Sequence, residues 1–332
     1  MTTPVDAREL LDWVADDYEP RCRVEGTVGR YGRVPGQAEP HLYGVADLAN
    51  IGHTLGLEVG DPDRWAEAFD DLQGGDGTYV ETPPTHDPIH ATAYCLAAME
   101  LLDLAPRHPL GLIDAWRDPA TVEAFLAELD WADDVYLGSH RGAGLAAIVA
   151  LDPAIDAVGR TAWFDAWFEA IEARFDARSG MFGIDKPPTG DSDQIGGTFH
   201  YAFLYEHLGR PLPEPEARID AVLAERDGEG WWHPENHLWL TLDAVYLLTR
   251  AAAQTAHRRG EVEAVVAETV TLSLATFGSI EGRRWFEEWY LGAHDLTAFV
   301  SLLAEAQRFG GEGGIVAAGR PLRLVLDERP FI

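Results

Sequence analysis

The chain has 332 residues, 46% of them apolar and 24% charged, a composition that suits a folded globular protein and argues against a disordered one. Its 25 basic and 56 acidic residues give a formal net charge of −31, and Lys186 is the single lysine. So acidic a chain repels phosphate backbones and anionic membrane faces, so neither a nucleic-acid partner nor surface membrane binding is expected.

Cys22 and Cys95 are too few for a disulfide framework or a Cys-rich zinc module. No apolar stretch reaches the roughly 18 uncharged positions of a membrane span. The first residues, MTTPVDARELLDW, carry no basic segment followed by an apolar one. No secretion signal is therefore expected, and the cytoplasm is the expected compartment.

Taken in chain order, two kinds of helical segment alternate. Acidic amphipathic segments cover 5–18, 61–73, 118–130, 159–176, 213–226 and 259–277. Segments apolar nearly all round, rich in small residues, cover 41–56, 90–104, 139–152, 199–209, 236–253 and 293–310. A helix with one polar face lies at the surface, and one apolar all round is buried. The alternation predicts an all-α fold of six outer–inner pairs, an (α/α)6 barrel or toroid over 1–310, with 311–332 as a tail packed on it. An open solenoid of helical hairpins fits the same pattern. Gly56, Gly209 and Gly310 stand where inner helices should stop. Asp61-Pro62 and Asp118-Pro119 read as helix starts. The one strand signal of note is LRLVLD at 322–327.

Longer loops rich in Gly and Pro precede the inner helices, so binding groups are expected at the N-terminal mouth of those helices. Three of these loops share a signature. Gln73-Gly74-Gly75-Asp76-Gly77-Thr78-Tyr79 fits Q-x-x-D-G-x-aromatic; Arg226 to Trp232 and Asp176 to Phe182 are weaker copies. The signature resembles the QW repeat of the terpenoid cyclase and protein prenyltransferase toroids. Gly and an aromatic residue at a helix–helix turn also serve packing alone. The resemblance to prenyltransferases implies an Asp-x-Cys zinc pair, and neither cysteine here has Asp two positions before it. The resemblance to class II terpenoid cyclases implies an Asp-x-Asp-Asp acid motif. Asp191-Ser192-Asp193-Gln194 stands at that place but ends in Gln, and such cyclases use two helical domains.

Histidines recur near the starts of the inner segments: His41, His90, His140, His200, His237 and His294. In a closed ring they would surround one mouth, where helix N-termini favour anions and lower imidazole pKa values. Two have a partner four residues earlier, His86 before His90 and His233 before His237. That spacing suits a metal on one helix face, although Pro interrupts both stretches. No cofactor is otherwise expected, and a divalent metal is the one candidate.

Asp193 is the first candidate for a general acid, with Asp191 beside it and His200 as orienting partner. Asp243 and Asp47 lie within apolar segments, so each is either half of a structural pair or a catalytic acid. His237 completes the catalytic candidates. Tyr43, Tyr201, Trp232 and Trp239, with Arg141 and the histidines 41, 90, 140 and 294, are the candidate substrate-binding groups. An aromatic wall suits a carbocation or a stacked sugar. The leading expectation is proton-initiated cyclisation of an isoprenoid. A glycoside hydrolase or polysaccharide lyase, working through two carboxylates or a His–Tyr pair, is the second. A non-catalytic helical scaffold is the third. A small-molecule substrate is the expected partner, and the oligomeric state is open.

Overall fold

The computed structural model describes residues 4–187, 190–233, 238–289, 291–311 and 314–332. The fold is all-α. Among these residues strand is confined to short pairs: Val5–Asp6 runs parallel to Val316–Ala317, and Phe175–Asp176 antiparallel to Met181–Phe182. The expected strand in the tail is not formed, because Val325–Glu328 is a helical turn. No single helix is long and apolar enough to cross a membrane.

The six apolar segments all form helices: α1 (Leu42–Leu55), α2 (Pro88–Glu100), α3 (Val135–Leu151), α4 (Ser192–His207), α5 (Trp239–Gln254) and α6 (Gly292–Gly310). The chain clusters into two compact units. One comprises Met1–Asp71 and Arg226–Val325; the other comprises Leu72–Glu225 and Leu326–Ile332.

In the first unit α6 packs against both α1 and α5. Every residue of α6 from Gly292 to Ala306 is buried, as its lack of a polar face requires. The helix Arg259–Phe277 backs α5 and α6, and Ile280–Glu288 backs α6. Pro62–Leu72 is amphipathic and buries Trp65, Ala68 and Phe69, the three- and four-residue spacing of one face. The expected helix over 5–18 begins at Arg8 and passes into a wider π turn at Val14–Tyr18.

In the second unit α3 packs against both α2 and α4. Small residues permit the approach. A Cβ on Gly142 would stand 2.3 Å from the Tyr201 hydroxyl, and one on Gly197 would stand 2.6 Å from Val135 Cγ1. The outer helix Ala157–Glu172 turns Trp163, Trp167 and Ile171 inward, with Phe164 and Phe168 alongside.

The punctuation works as expected in most places. Gly56 and Gly209 are left-handed and end their helices, whereas Gly310 is still helical and the turn falls on Gly311. Asp118 caps a short 3-10 turn, Pro119–Thr121. The starts of α3 and α4 differ from expectation. Asp134 caps α3 and Asp191 caps α4, so both begin before the expected 139 and 199.

Candidate functional site

The three signature loops are packing devices. Gln73 Nε2 donates to the carbonyls of Gly77 (3.1 Å) and His108 (3.2 Å), and its Oε1 accepts from His108 N (2.8 Å). The turn then delivers Tyr79, whose N–H donates to Thr92 Oγ1 of α2 at 3.1 Å. In the third loop Phe182 N–H donates to Thr198 Oγ1 of α4 at 2.9 Å. These two loops thus tie an aromatic residue to a hydroxyl inside the next central helix. In the second loop Asp227 Oδ1 accepts from Glu229 N and Trp231 N, and the Arg226 guanidinium lies over the buried Trp232.

Asp191 and Asp193 are likewise engaged in structure. Asp191 caps α4 by accepting from Gln194 N at 2.8 Å. Asp193 accepts from Val135 N (3.0 Å) and Tyr136 N (2.9 Å) at the start of α3. Lys186 Nζ lies 2.6 Å from Asp193 and 3.3 Å from Asp191. The expected acid therefore satisfies the N-terminus of α3 and pairs with a lysine.

The same unit brings three expected residues together. His90 on α2, His140 on α3 and His200 on α4 are 3%, 5% and 5% exposed. Their rings lie 4.5 Å (His90–His140), 5.0 Å (His140–His200) and 6.1 Å (His90–His200) apart, centroid to centroid. One ligand-capable nitrogen from each falls within 4.8 Å of the others. Ser139 organises the third ring. Its Oγ donates to Tyr136 O at 2.6 Å, which uses its only proton, and lies 2.9 Å from His200 Nδ1. Nδ1 must then be the protonated nitrogen, which leaves the lone pair on Nε2. Burial pushes the His200 pKa down to about 3, so the ring is neutral at physiological pH. Phe331 lies against His90 (5.2 Å) and stacks on His200 (5.6 Å), and the Tyr136 ring lies edge-on to His140 (4.8 Å).

The expected His86–His90 pair has a different geometry. His86 precedes the cap Asp87, so it lies outside the helix, and its ring stacks on His90 at 4.5 Å with 12° between planes. The partners of His90 around a common centre come from α3 and α4 instead. Arg141, expected to bind substrate, pairs with Asp87 at 3.6 Å. Tyr201 is core: it stacks on Trp131 at 5.5 Å and meets Phe182 at 5.0 Å.

The first unit gathers a second group. Asp47 of α1 and His294 of α6 are buried, and His294 Nδ1 lies 3.1 Å from Asp47 Oδ1. Thr297 Oγ1 donates to the same oxygen at 3.1 Å. Trp239 and Tyr43 flank the imidazole at 4.4 Å and 4.9 Å, and Arg33 lies over Tyr43. One turn beyond Trp239, on the same face of α5, is Asp243. Its carboxyl is buried, and neither oxygen has a hydrogen-bond partner among the described residues. Burial raises its pKa well above that of an ordinary aspartate. Asp295 is also raised, by burial, and accepts from Trp285 Nε1 at 3.0 Å. His41 occupies the cap position of α1. His233 is half-buried in a loop, and His237 lies outside the described residues.

The histidines therefore do not all stand at helix starts. His140 lies more than one turn inside α3, and His200 more than two turns inside α4. Two interactions escaped sequence reading altogether, Ser139 with His200 and Asp47 with His294. Both join different helices, and spacing along the chain carries no signal for such a pair. No protein-family model matches the chain, and no curated protein or solved structure matches it.

Proposed function

We propose that the protein is an enzyme that transfers a proton to a small, largely apolar substrate, with Asp243 as the acid. The observation that carries this reading is the buried carboxyl of Asp243 in a largely apolar helix, with no hydrogen-bond partner among the described residues and a pKa that burial raises well above the ordinary value. At neutral pH it holds a proton that an exposed aspartate would have lost. In so dry a setting, transfer creates a carboxylate directly beside the new cation, and low dielectric strengthens that attraction. Trp239 and Tyr43 supply aromatic faces suited to cationic charge. The Asp47–His294 pair supplies an oriented imidazole in the same unit, able to take a proton back. The substrate class this chemistry suits best is an isoprenoid alkene or epoxide that cyclises on protonation. This agrees with the resemblance of the Gln73–Tyr79 loop to the QW repeat, and it moves the acid from Asp193 to Asp243. Cys22 and Cys95 are buried and form no disulfide, which accords with the cytoplasm as the place of action.

The test is incubation of the purified protein with linear isoprenoid alkenes and their epoxides, with products identified by mass spectrometry. Cyclised products from the wild type, lost in Asp243→Asn with the circular dichroism unchanged, are expected. No conversion of any member by the wild type, or full activity in Asp243→Asn, would overturn the reading.

A further inference from the structure

We propose that His90, His140 and His200 form a binding site for one divalent metal ion of the zinc class, with a fourth coordination position open to water or a small anionic ligand. The site lies in the second unit and does not depend on the acid–base reading of Asp243.

Three observations carry it. The first is convergence. Three imidazoles from three different helices offer nitrogens within 4.8 Å of one another. Zinc–imidazole bonds of about 2.0–2.1 Å in tetrahedral geometry place ligand nitrogens roughly 3.4 Å apart. Small ring rotations on fixed helices close that difference.

The second is orientation. Metal-bound histidines characteristically donate their other ring N–H to a fixed acceptor, which sets the tautomer and aims the lone pair. Ser139 Oγ does this for His200, at 2.9 Å from Nδ1, with its own proton committed to Tyr136 O.

The third is enclosure. Phe331 and Tyr136 pack against the rings, and all three histidines are buried. Ligands held by helices and walled by aromatic residues are pre-organised, which raises metal affinity. A cluster of three nitrogens with no cysteine selects zinc-class ions over calcium or magnesium, which take oxygen ligands. Three protein ligands rather than four match catalytic zinc sites, which keep a position open, rather than closed structural ones.

The experiment uses the full chain, stripped with chelator and titrated with Zn2+ alone and with Co2+ alone. The proposal expects one equivalent of either ion. It also expects the intense visible absorption of four-coordinate Co2+, and X-ray absorption of the zinc form showing three imidazole nitrogens. Ser139→Ala should weaken zinc binding by about 10–100-fold, the usual effect of losing such a supporting hydrogen bond. His140→Ala should weaken it further, and by more than His86→Ala, whose ring only stacks on His90. If His140→Ala fails to fold, the wild-type spectra and Ser139→Ala decide. No stoichiometric uptake by the wild type, a weak six-coordinate cobalt spectrum, or equal zinc affinity in a folded His140→Ala would overturn the proposal.

Discussion

Nδ1 of His294 and Oδ1 of Asp47 stand 3.1 Å apart on two packed helices, with both side chains buried. Asp47 Oδ1 also receives the Thr297 hydroxyl, so one carboxylate oxygen organises two neighbours on α6. Asp47→Ala removes the carboxylate beside His294 Nδ1 and one acceptor of the Thr297 hydroxyl, which keeps Ala293 O at 3.0 Å, and should destabilise the chain by about 1–3 kcal/mol. Thr297→Val removes the hydroxyl shared between Asp47 Oδ1 and Ala293 O while leaving the Asp47–His294 pair, and should cost about 1 kcal/mol. Urea midpoints of the two variants should fall in that order. If the Asp47 variant matches the wild type, the pair contributes nothing to the fold.

Two buried acids in the first unit should respond to pH with opposite signs. Asp243 has a raised pKa, so the native state keeps a proton that the unfolded chain releases above about pH 4. Its contribution is greatest below that pH and declines by about 1.4 kcal/mol per pH unit until the folded pKa is passed. Asp243→Asn is always neutral, so its stability relative to wild type should climb with pH. Glu305 is the reverse. Burial opposes its charge, but Arg250, Arg308 and Thr249 outweigh that and hold its pKa below the usual value. Its contribution is present at neutral pH and is lost as pH falls, so the deficit of Glu305→Gln should shrink on acidification. Denaturation midpoints from about pH 2 to 8 read both trends, Asp243 above about pH 4 and Glu305 below about pH 5, and curves parallel to the wild type would refute them.

Arg218 is buried, and its guanidinium donates to the carbonyls of Gly180 (3.1 Å), Pro213 (2.8 Å) and Leu212 (3.4 Å). Burial pulls its pKa down to about 10. The planar fork reaches three acceptors that an ammonium cannot span. Both Arg218→Met and Arg218→Lys should therefore lower stability, by about 2–4 kcal/mol for the first, which strands the carbonyls. Full rescue by Lys in thermal unfolding would show that charge rather than fork geometry matters.

The Gln73–Tyr79 turn should behave as a stability element. Gly77 has φ of +83°, and a Cβ there would fall 2.0 Å from Pro109 O. Gly77→Ala should cost at least about 2 kcal/mol, from strain and collision together. Gln73→Ala removes three hydrogen bonds and should cost about 1–3 kcal/mol. Because both act on one turn, the double variant should lose less than the sum, a test for a double-mutant cycle.

Asp193 and Asp243 separate structure from chemistry. Asp193→Asn loses the ion pair with Lys186 and weakens the tie to Val135 and Tyr136, so melting temperature should fall while turnover of any isoprenoid substrate persists. Asp243→Asn should abolish turnover. If Asp193→Asn abolishes turnover in a folded protein, the acid belongs in the second unit.

Helix type and position were legible because burial imposes a period on the chain. Asp134 and Asp191 could have been read as caps, which would have started α3 and α4 earlier and moved His140 and His200 off the helix ends. The histidines, Asp243, Trp239 and Tyr43 could be named because polar or aromatic residues interrupt apolar runs. Asp193 stands out in the sequence because its position in the chain suits an acid motif. Nothing local reveals that Lys186 and the N-terminus of α3 converge on it.

The sequence by itself determined that the chain is all-α, where the central helices run, and which turns need glycine, since these follow from apolar periodicity and backbone sterics within a few residues. Only the tertiary structure decided that nitrogens of His90, His140 and His200 converge, that Ser139 sets a tautomer, and that Asp47 pairs with His294 while Asp243 is buried with no hydrogen-bond partner among the described residues. Those outcomes depend on distances between helices and on the water that packing excludes, neither of which is written along the chain.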